Sequence, residues 1–137
     1  MEIRQYSKPY HTDDSIIYSC QYHVVWCPKY RRKVLTGAVE PRLKELILGK
    51  QEEYGYQVIN LEVMPDHVHL LIDVDPRIGI IKIVGMIKGY TSHQLRLEFP
   101  WLKKRLPTLW TRSRFISTVG AVTLEMVQSY IDNQKGQ

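Results

Sequence analysis

The spacing of hydrophobic positions predicts seven main elements, in the order strand, helix, strand, strand, helix, strand and helix. Strands are indicated where apolar and polar residues alternate or where β-branched and aromatic residues cluster, and helices where apolar residues recur every three to four positions. The predicted strands are residues 16–27, 56–64, 67–74 and 109–119. The predicted helices are 39–54, 80–99 and 123–135, with a short helical or irregular piece at 101–106.

The first six of these elements match the ferredoxin-like split βαβ arrangement, an α+β fold with a four-stranded antiparallel sheet and helices on one face. We expect one domain over residues 1–137, a length that can bury a core without disulfides. Alternation in the third strand places Val68, Leu70 and Ile72 beneath the helices and leaves His67 and His69 on the open face. Alternation in the second strand places Val58, Asn60 and Glu62 on one face and Ile59, Leu61 and Val63 on the other.

The charge distribution favours a polyanionic partner. The net charge is +5, and two stretches, 15–39 and 99–124, contain no acidic residue. The two stretches carry Lys29, Arg31, Arg32, Lys33, Lys103, Lys104, Arg105, Arg112 and Arg114. Such runs fit a phosphate-binding surface or two solvated loops. No apolar signal segment or membrane-length run is present, and Cys20 and Cys27 would face opposite sides of one strand, so we expect a cytoplasmic protein without disulfides.

Candidate chemistry lies in two places. His67 and His69 are one residue apart at the start of a strand, so two imidazoles on one face can lean onto one cation, although His-x-His alone is often incidental. In the last predicted helix, the four-residue spacing places Tyr130 and Gln134 on the same side. Taken alone, Tyr130 also suits a half-buried packing role and Gln134 a solvated one. On the first strand, His23 fits either a core histidine or a neighbour of the site.

Four motifs occur in order, at residues 22–32 (YHVVWCPKYRR), 62–69 (EVMPDHVH), 88–92 (KGYTS) and 130–134 (YIDNQ). Together they resemble the single-tyrosine HUH transposases of the smallest bacterial and archaeal insertion sequences, where HUH denotes histidine, hydrophobic residue, histidine. The resemblance runs from about Tyr18 to Gln134. It implies a metal-dependent enzyme that cleaves and rejoins single-stranded DNA at the ends of an insertion sequence, without a nucleotide cofactor.

The resemblance also implies roles for individual residues. His67, His69 and Gln134 would bind a divalent cation, Mg²⁺ or Mn²⁺, and Tyr130, on the C-terminal helix, would attack the scissile phosphate to give a 5′-phosphotyrosine link. Apart from the resemblance, Glu62 fits either a supporting neighbour of the metal ligands or a surface carboxylate, and His23 stays open between such a neighbour and a core histidine. The candidate DNA contacts are Lys29, Arg31, Arg32, Lys88, Arg112 and Arg114. The family further implies hairpin recognition at the DNA ends and a homodimer.

Two other functions remain open from the sequence. A non-catalytic module for single-stranded nucleic acids could use the same scaffold, and its binding would be indifferent to Tyr130 and to cations. Another HUH nickase, of the relaxase or replication-initiator type, would share the histidines, but such proteins usually carry the domain in a longer chain than 137 residues. A small regulatory domain would leave the combination of His67, His69, Tyr130 and Gln134 unexplained.

Overall fold

The computed structural model describes residues 11–12 and 16–120. Its strands are β1 (His11–Thr12), β2 (Ile17–Tyr18), β3 (Gln21–Trp26), β4 (Tyr56–Met64), β5 (His67–Val74) and β6 (Phe115–Thr118). Its helices are α1 (Val39–Gly49), α2 (Gln51–Tyr54), α3 (Ile80–Glu98) and α4 (Pro100–Arg105), with a 3₁₀ turn at Lys29–Arg31. The predicted helix at 123–135 lies outside the described residues.

The main sheet has four strands in the order β4-β5-β3-β6, and every neighbouring pair is antiparallel. This order, with a helical segment between β3 and β4 and another between β5 and β6, confirms the predicted ferredoxin-like topology. A separate two-stranded ribbon joins β1 and β2. The histidine strand β5 is therefore central, flanked by β4 on one side and β3 on the other.

The hydrophobic core fills the space between one face of the sheet and the helices. Val24 of β3 and Leu70 of β5 are fully buried, as are Leu43 of α1 and Val84 of α3. All four belong to one cluster of packed side chains, so α1 and α3 cover the same face of the sheet. On the opposite face of β5, within the described part of the chain, His67 and His69 are partly exposed. None of the helices within the described residues is long and apolar enough to cross a membrane.

The predicted bounds of β4 and β5 are confirmed, as is the separation of Asn60 and Glu62 from Leu61 and Val63, but Val58 was wrongly placed on the face of Asn60 and Glu62. Val58 pairs with Ile72 and Asn60 with Leu71, so an extra residue interrupts the register between them. This bulge reverses the alternation, because each inserted residue turns the following side chains to the other face. Val58 and Val63 are consequently both buried, while Glu62 points to the open face, opposite His69.

Other predicted boundaries needed correction. The first strand is split, since Ser19 and Cys20 interrupt it, and the first helix is broken at Lys50. The fourth strand begins at Phe115 instead of residue 109, because Trp110 is buried in the core and makes only an isolated bridge to Pro28. Trp26 is also buried and makes an edge-to-face contact with Trp110. Cys20 and Cys27 are free thiols, as expected.

Candidate active site at the histidine pair

His67 and His69 occupy the first and third positions of β5 and share the open face of the sheet. Both are partly exposed, whereas Val68 between them is fully buried beneath the helices. The tight turn between β4 and β5 sets this geometry, since it places His67 directly opposite Met64 and His69 opposite Glu62. The predicted placement of both imidazoles on one accessible face is therefore present in the structure.

Asp66 orients the first histidine. Its Oδ1 atom accepts a hydrogen bond from Nδ1 of His67 at 2.9 Å, and its Oδ2 atom lies 3.1 Å from Nη2 of Arg31. The hydrogen bond from His67, followed by the contact with Arg31, lowers the pKa of the Asp66 carboxyl below its ordinary value. No role was predicted for Asp66 from the sequence. Its position directly before the histidine was the signal that could have identified it.

His23 contacts the second histidine from the neighbouring strand. Its Nδ1 atom lies 3.0 Å from Nε2 of His69, and the ring centroids are 5.1 Å apart. Val25 is the residue paired with His69, so His23 approaches it diagonally across the open face. The sequence left His23 open between a core role and a place beside the site. The structure places it beside the site.

Each histidine thus has one ring nitrogen engaged within the protein. If His67 donates from Nδ1 to Asp66, its Nε2 carries a free lone pair; if His69 donates from Nε2 to His23, its Nδ1 carries one. A histidine that binds a metal through one ring nitrogen usually makes a hydrogen bond through the other, and this hydrogen bond fixes the tautomer. The two free ring nitrogens, one on each histidine, are therefore suited to be two of the ligands of a divalent cation.

The described residues contain no group of three or more histidine, cysteine or acidic side chains able to hold a metal ion. A cation at His67 and His69 would therefore need further ligands from elsewhere, which suits an open site better than a closed structural zinc site. Glu62 shares the open face, opposite His69, and is exposed. Tyr130 and Gln134 lie outside the described residues, so their predicted roles remain predictions.

The candidate DNA-contacting cations fall into two groups. Arg31 pairs with Asp66, while Lys88 donates to the carbonyl oxygens of Thr111, Arg112 and Ser113 at 2.8, 3.4 and 3.4 Å. Burial, and secondarily the nearby Arg114, lower the pKa of the Lys88 ammonium. For the other four, no carboxylate in the described part of the chain forms an ion pair with them. These four are Lys29, Arg32, Arg112 and Arg114.

Comparison with known proteins identifies transposases as relatives of this chain. ISDra2 transposase TnpA of Deinococcus radiodurans is 39% identical over 120 residues, which cover 86% of each chain. The transposase for insertion sequence element IS200 of Salmonella typhimurium is 30% identical over 119 residues, covering 85% of this chain and 78% of that protein.

Solved structures agree with these relatives. A crystal structure from D. radiodurans R1, assigned as a transposase, superposes with a TM-score of 0.74 at 34% identity, covering 90% of this chain and 97% of that one. A REP-associated tyrosine transposase bound to a REP hairpin shares the fold, with a TM-score of 0.56 at 15% identity, covering 96% and 68%. The family described as IS200-like transposases matches residues 16–134. The chain belongs to the IS200-like transposase family.

Proposed function

We propose that this transposase cleaves and rejoins single-stranded DNA at insertion-sequence ends through a covalent link to Tyr130. The observation that carries the proposal is the pair His67 and His69 on one open face, each with one ring nitrogen engaged by a neighbouring side chain. A histidine with a purely structural role would not need a second histidine beside it on the same face. A cation that contacts a phosphate needs ligand nitrogens whose lone pairs are fixed in place, on a face that the DNA can reach. Family membership supports the same reaction.

The two histidines and Gln134 would hold a Mg²⁺ or Mn²⁺ ion, as the resemblance implied. When bound, the cation withdraws charge from the phosphate oxygens and orients the phosphodiester. Two imidazoles and one neutral amide leave coordination positions for water and substrate oxygens, which suits these metals. Asp66 and His23 hold the two rings in place, and Glu62 lies on the same face.

Tyr130 is the proposed nucleophile. Its phenol oxygen would attack the scissile phosphorus after losing its proton, and the bond from phosphorus to the 3′ oxygen would break. The products are a 5′-phosphotyrosine link and a free 3′-hydroxyl, which takes up a proton. Because the link keeps the energy of the broken bond, a 3′-hydroxyl can later attack it and restore a phosphodiester without ATP.

DNA recognition would rest mainly on phosphate contacts. Arg32 and Lys29 follow β3, and Arg112 and Arg114 precede β6, without ion pairs to carboxylates in the described residues. Contacts of this kind position the DNA and fit recognition by shape. A structural neighbour is bound to a REP hairpin, which supports a hairpin ligand here as well. We further propose that the protein acts as a homodimer.

The test is an adduct assay with single-stranded DNA carrying an insertion-sequence end. With Mn²⁺, the wild-type protein should give a protein–DNA species that survives denaturation, and Tyr130→Phe should give none while still binding the DNA. Chelation of the cation should also abolish the adduct. DNA binding by the wild-type protein without any adduct would instead identify a non-catalytic binding module.

A further inference from the structure

Two consecutive residues in the loop after β3 have a backbone conformation that normally belongs to glycine. Tyr30 has φ +60° and Arg31 has φ +52°, both in the left-handed region. A bulky residue there is a genuine outlier, and such strain clusters at functional sites because the surrounding structure must hold it. Stability alone would favour glycine or asparagine at Tyr30.

The loop is anchored firmly enough to hold this conformation. Pro28 forms a bridge to Trp110, and the amide of Lys29 donates to the Leu109 carbonyl at 2.8 Å. At the other end, the amide of Leu35 donates to the Pro65 carbonyl at 3.0 Å, and Leu35 is buried. Tyr30 is consequently held outward by the fixed backbone on either side of it.

The Tyr30 side chain projects into solvent. The residue is 66% exposed, although a tyrosine ring would gain stability from burial. Within the described part of the chain, the ring contacts a cation, the Lys29 ammonium, 5.4 Å from the ring centroid. An exposed aromatic ring on a strained and anchored loop contributes little to the fold, so its placement needs another explanation.

The surroundings of Tyr30 suit single-stranded DNA. The next residue, Arg31, reaches the histidine pair through Asp66. The residues after it, Arg32 and Lys33, line a cavity of about 440 Å³ with Arg105 of α4. Cations that follow a phosphate backbone, together with an exposed aromatic ring that can stack on a base, form the usual combination in sites for unpaired strands.

We propose that the Tyr30 ring is a stacking platform for one unpaired base of the DNA strand that reaches the histidine pair. The proposal rests on the proposed function for its ligand. It goes further in assigning a base contact to a residue outside the metal site and outside the phosphate-contacting cations. A base on this ring would be held next to the Arg31–Asp66–His67 connection.

The test uses the full chain carrying Tyr130→Phe, without divalent cation, so that its result does not depend on cleavage. Single-stranded oligonucleotides carry the fluorescent base 2-aminopurine at successive positions. We expect quenching at one position on binding, retained with Tyr30→Phe and lost with Tyr30→Gly. Affinity should fall roughly 5- to 100-fold with Tyr30→Gly, the range expected for one lost stacking contact.

Two further measurements separate stacking from other roles. Because glycine tolerates the left-handed backbone, Tyr30→Gly should keep or raise the melting temperature while it weakens binding. The salt dependence of binding should keep its slope, because no phosphate contact is removed. The proposal is overturned if no position responds to Tyr30→Gly, if the melting temperature falls with the affinity, or if the variant changes self-association instead of DNA binding.

Discussion

The Nδ1 atom of His23 lies 3.0 Å from Nε2 of His69, so one histidine on β3 fixes the ring of another on β5. A neutral pair of this kind has one donor and one acceptor. When His69 donates, its Nδ1 lone pair is left for a cation. We therefore assign His23 as a positioning residue for the proposed metal site.

Removing His23 should weaken metal binding without removing a ligand. We expect His23→Ala to lower Mn²⁺ affinity by roughly 10- to 100-fold, the usual effect of losing the partner of a metal-binding histidine. Titration calorimetry of the DNA-free protein measures this directly. His67→Ala should cause a larger loss, and His93→Ala, on the exposed side of α3, should cause none. Equal affinities for wild type and His23→Ala would exclude this role.

Removing the Asp66 carboxylate should weaken metal binding through His67, as removing His23 should do through His69. Asp66→Asn removes the carboxylate that accepts from Nδ1 of His67 and pairs with Arg31. We expect roughly tenfold weaker Mn²⁺ binding, because the His67 tautomer is no longer held by a charged acceptor. Asp75→Asn is the control, since Asp75 also pairs with an arginine, Arg77, but follows the far end of β5. Similar losses from both variants would indicate a general charge effect.

Lys88 was predicted as a DNA contact, but its ammonium group donates to three carbonyls of the loop before β6. We expect Lys88→Met to destabilise the protein by about 1 kcal/mol, since lost hydrogen bonds at a partly exposed site are partly replaced by water. Amide hydrogen exchange should accelerate in residues 111–114, and Lys88→Arg should restore much of the protection.

Lys88→Met also separates two ways in which Lys88 could affect DNA binding. If Lys88 acts by ordering the loop that carries Arg112 and Arg114, affinity should fall together with the protection of that loop. A direct phosphate contact would instead reduce the slope of log affinity against log salt by about 1, with unchanged exchange. The second result would support the predicted DNA contact of Lys88.

The ion pair between Arg42 of α1 and Glu98 of α3 should make stability depend on pH. Nε and Nη2 of Arg42 donate to the Glu98 carboxylate at 2.7 and 2.9 Å, and this hydrogen bonding, followed by that from Gln94, lowers the pKa of Glu98. A lowered folded-state pKa stabilises the protein above the unfolded value near 4.5, and the effect is lost as pH falls through the folded value.

Denaturant unfolding at a series of pH values tests this linkage. The free energy of unfolding should decline less steeply on acidification in Glu98→Gln than in the wild type. Glu52→Gln, which changes an exposed carboxylate of α2, should follow the wild-type curve. Parallel curves for wild type and Glu98→Gln would show that the pair contributes nothing measurable.

The fold could be predicted from the sequence more completely than the details of the site. Gly55, at φ +83°, and the turn at Pro65 and Asp66 mark the ends of β4, so its bounds could be read directly. The bulge after Val58 could not, because one inserted residue leaves no compositional signal and still reverses every later side chain. The start of β6 was misplaced because the buried Trp110 resembles a strand residue.

Within the site, residue types were predictable but their hydrogen bonds were not. The shared face of His67 and His69 could be predicted, because side chains alternate between the two faces along a strand. The contact between His23 and His69 joins residues 46 positions apart, and it depends on the register between β3 and β5, which no local pattern records. The strained backbone at Tyr30 was equally hidden, since its sequence carries no glycine to mark a left-handed residue.

Identification of the amino acid that becomes linked to DNA tests the proposed role of Tyr130 without relying on a variant. The denatured adduct, formed from single-stranded end DNA and Mn²⁺, would be digested and its nucleotide-bearing peptide sequenced by mass spectrometry. We expect a 5′-phosphate on Tyr130 and on none of the other eight tyrosines. A nucleotide on any other residue would contradict it.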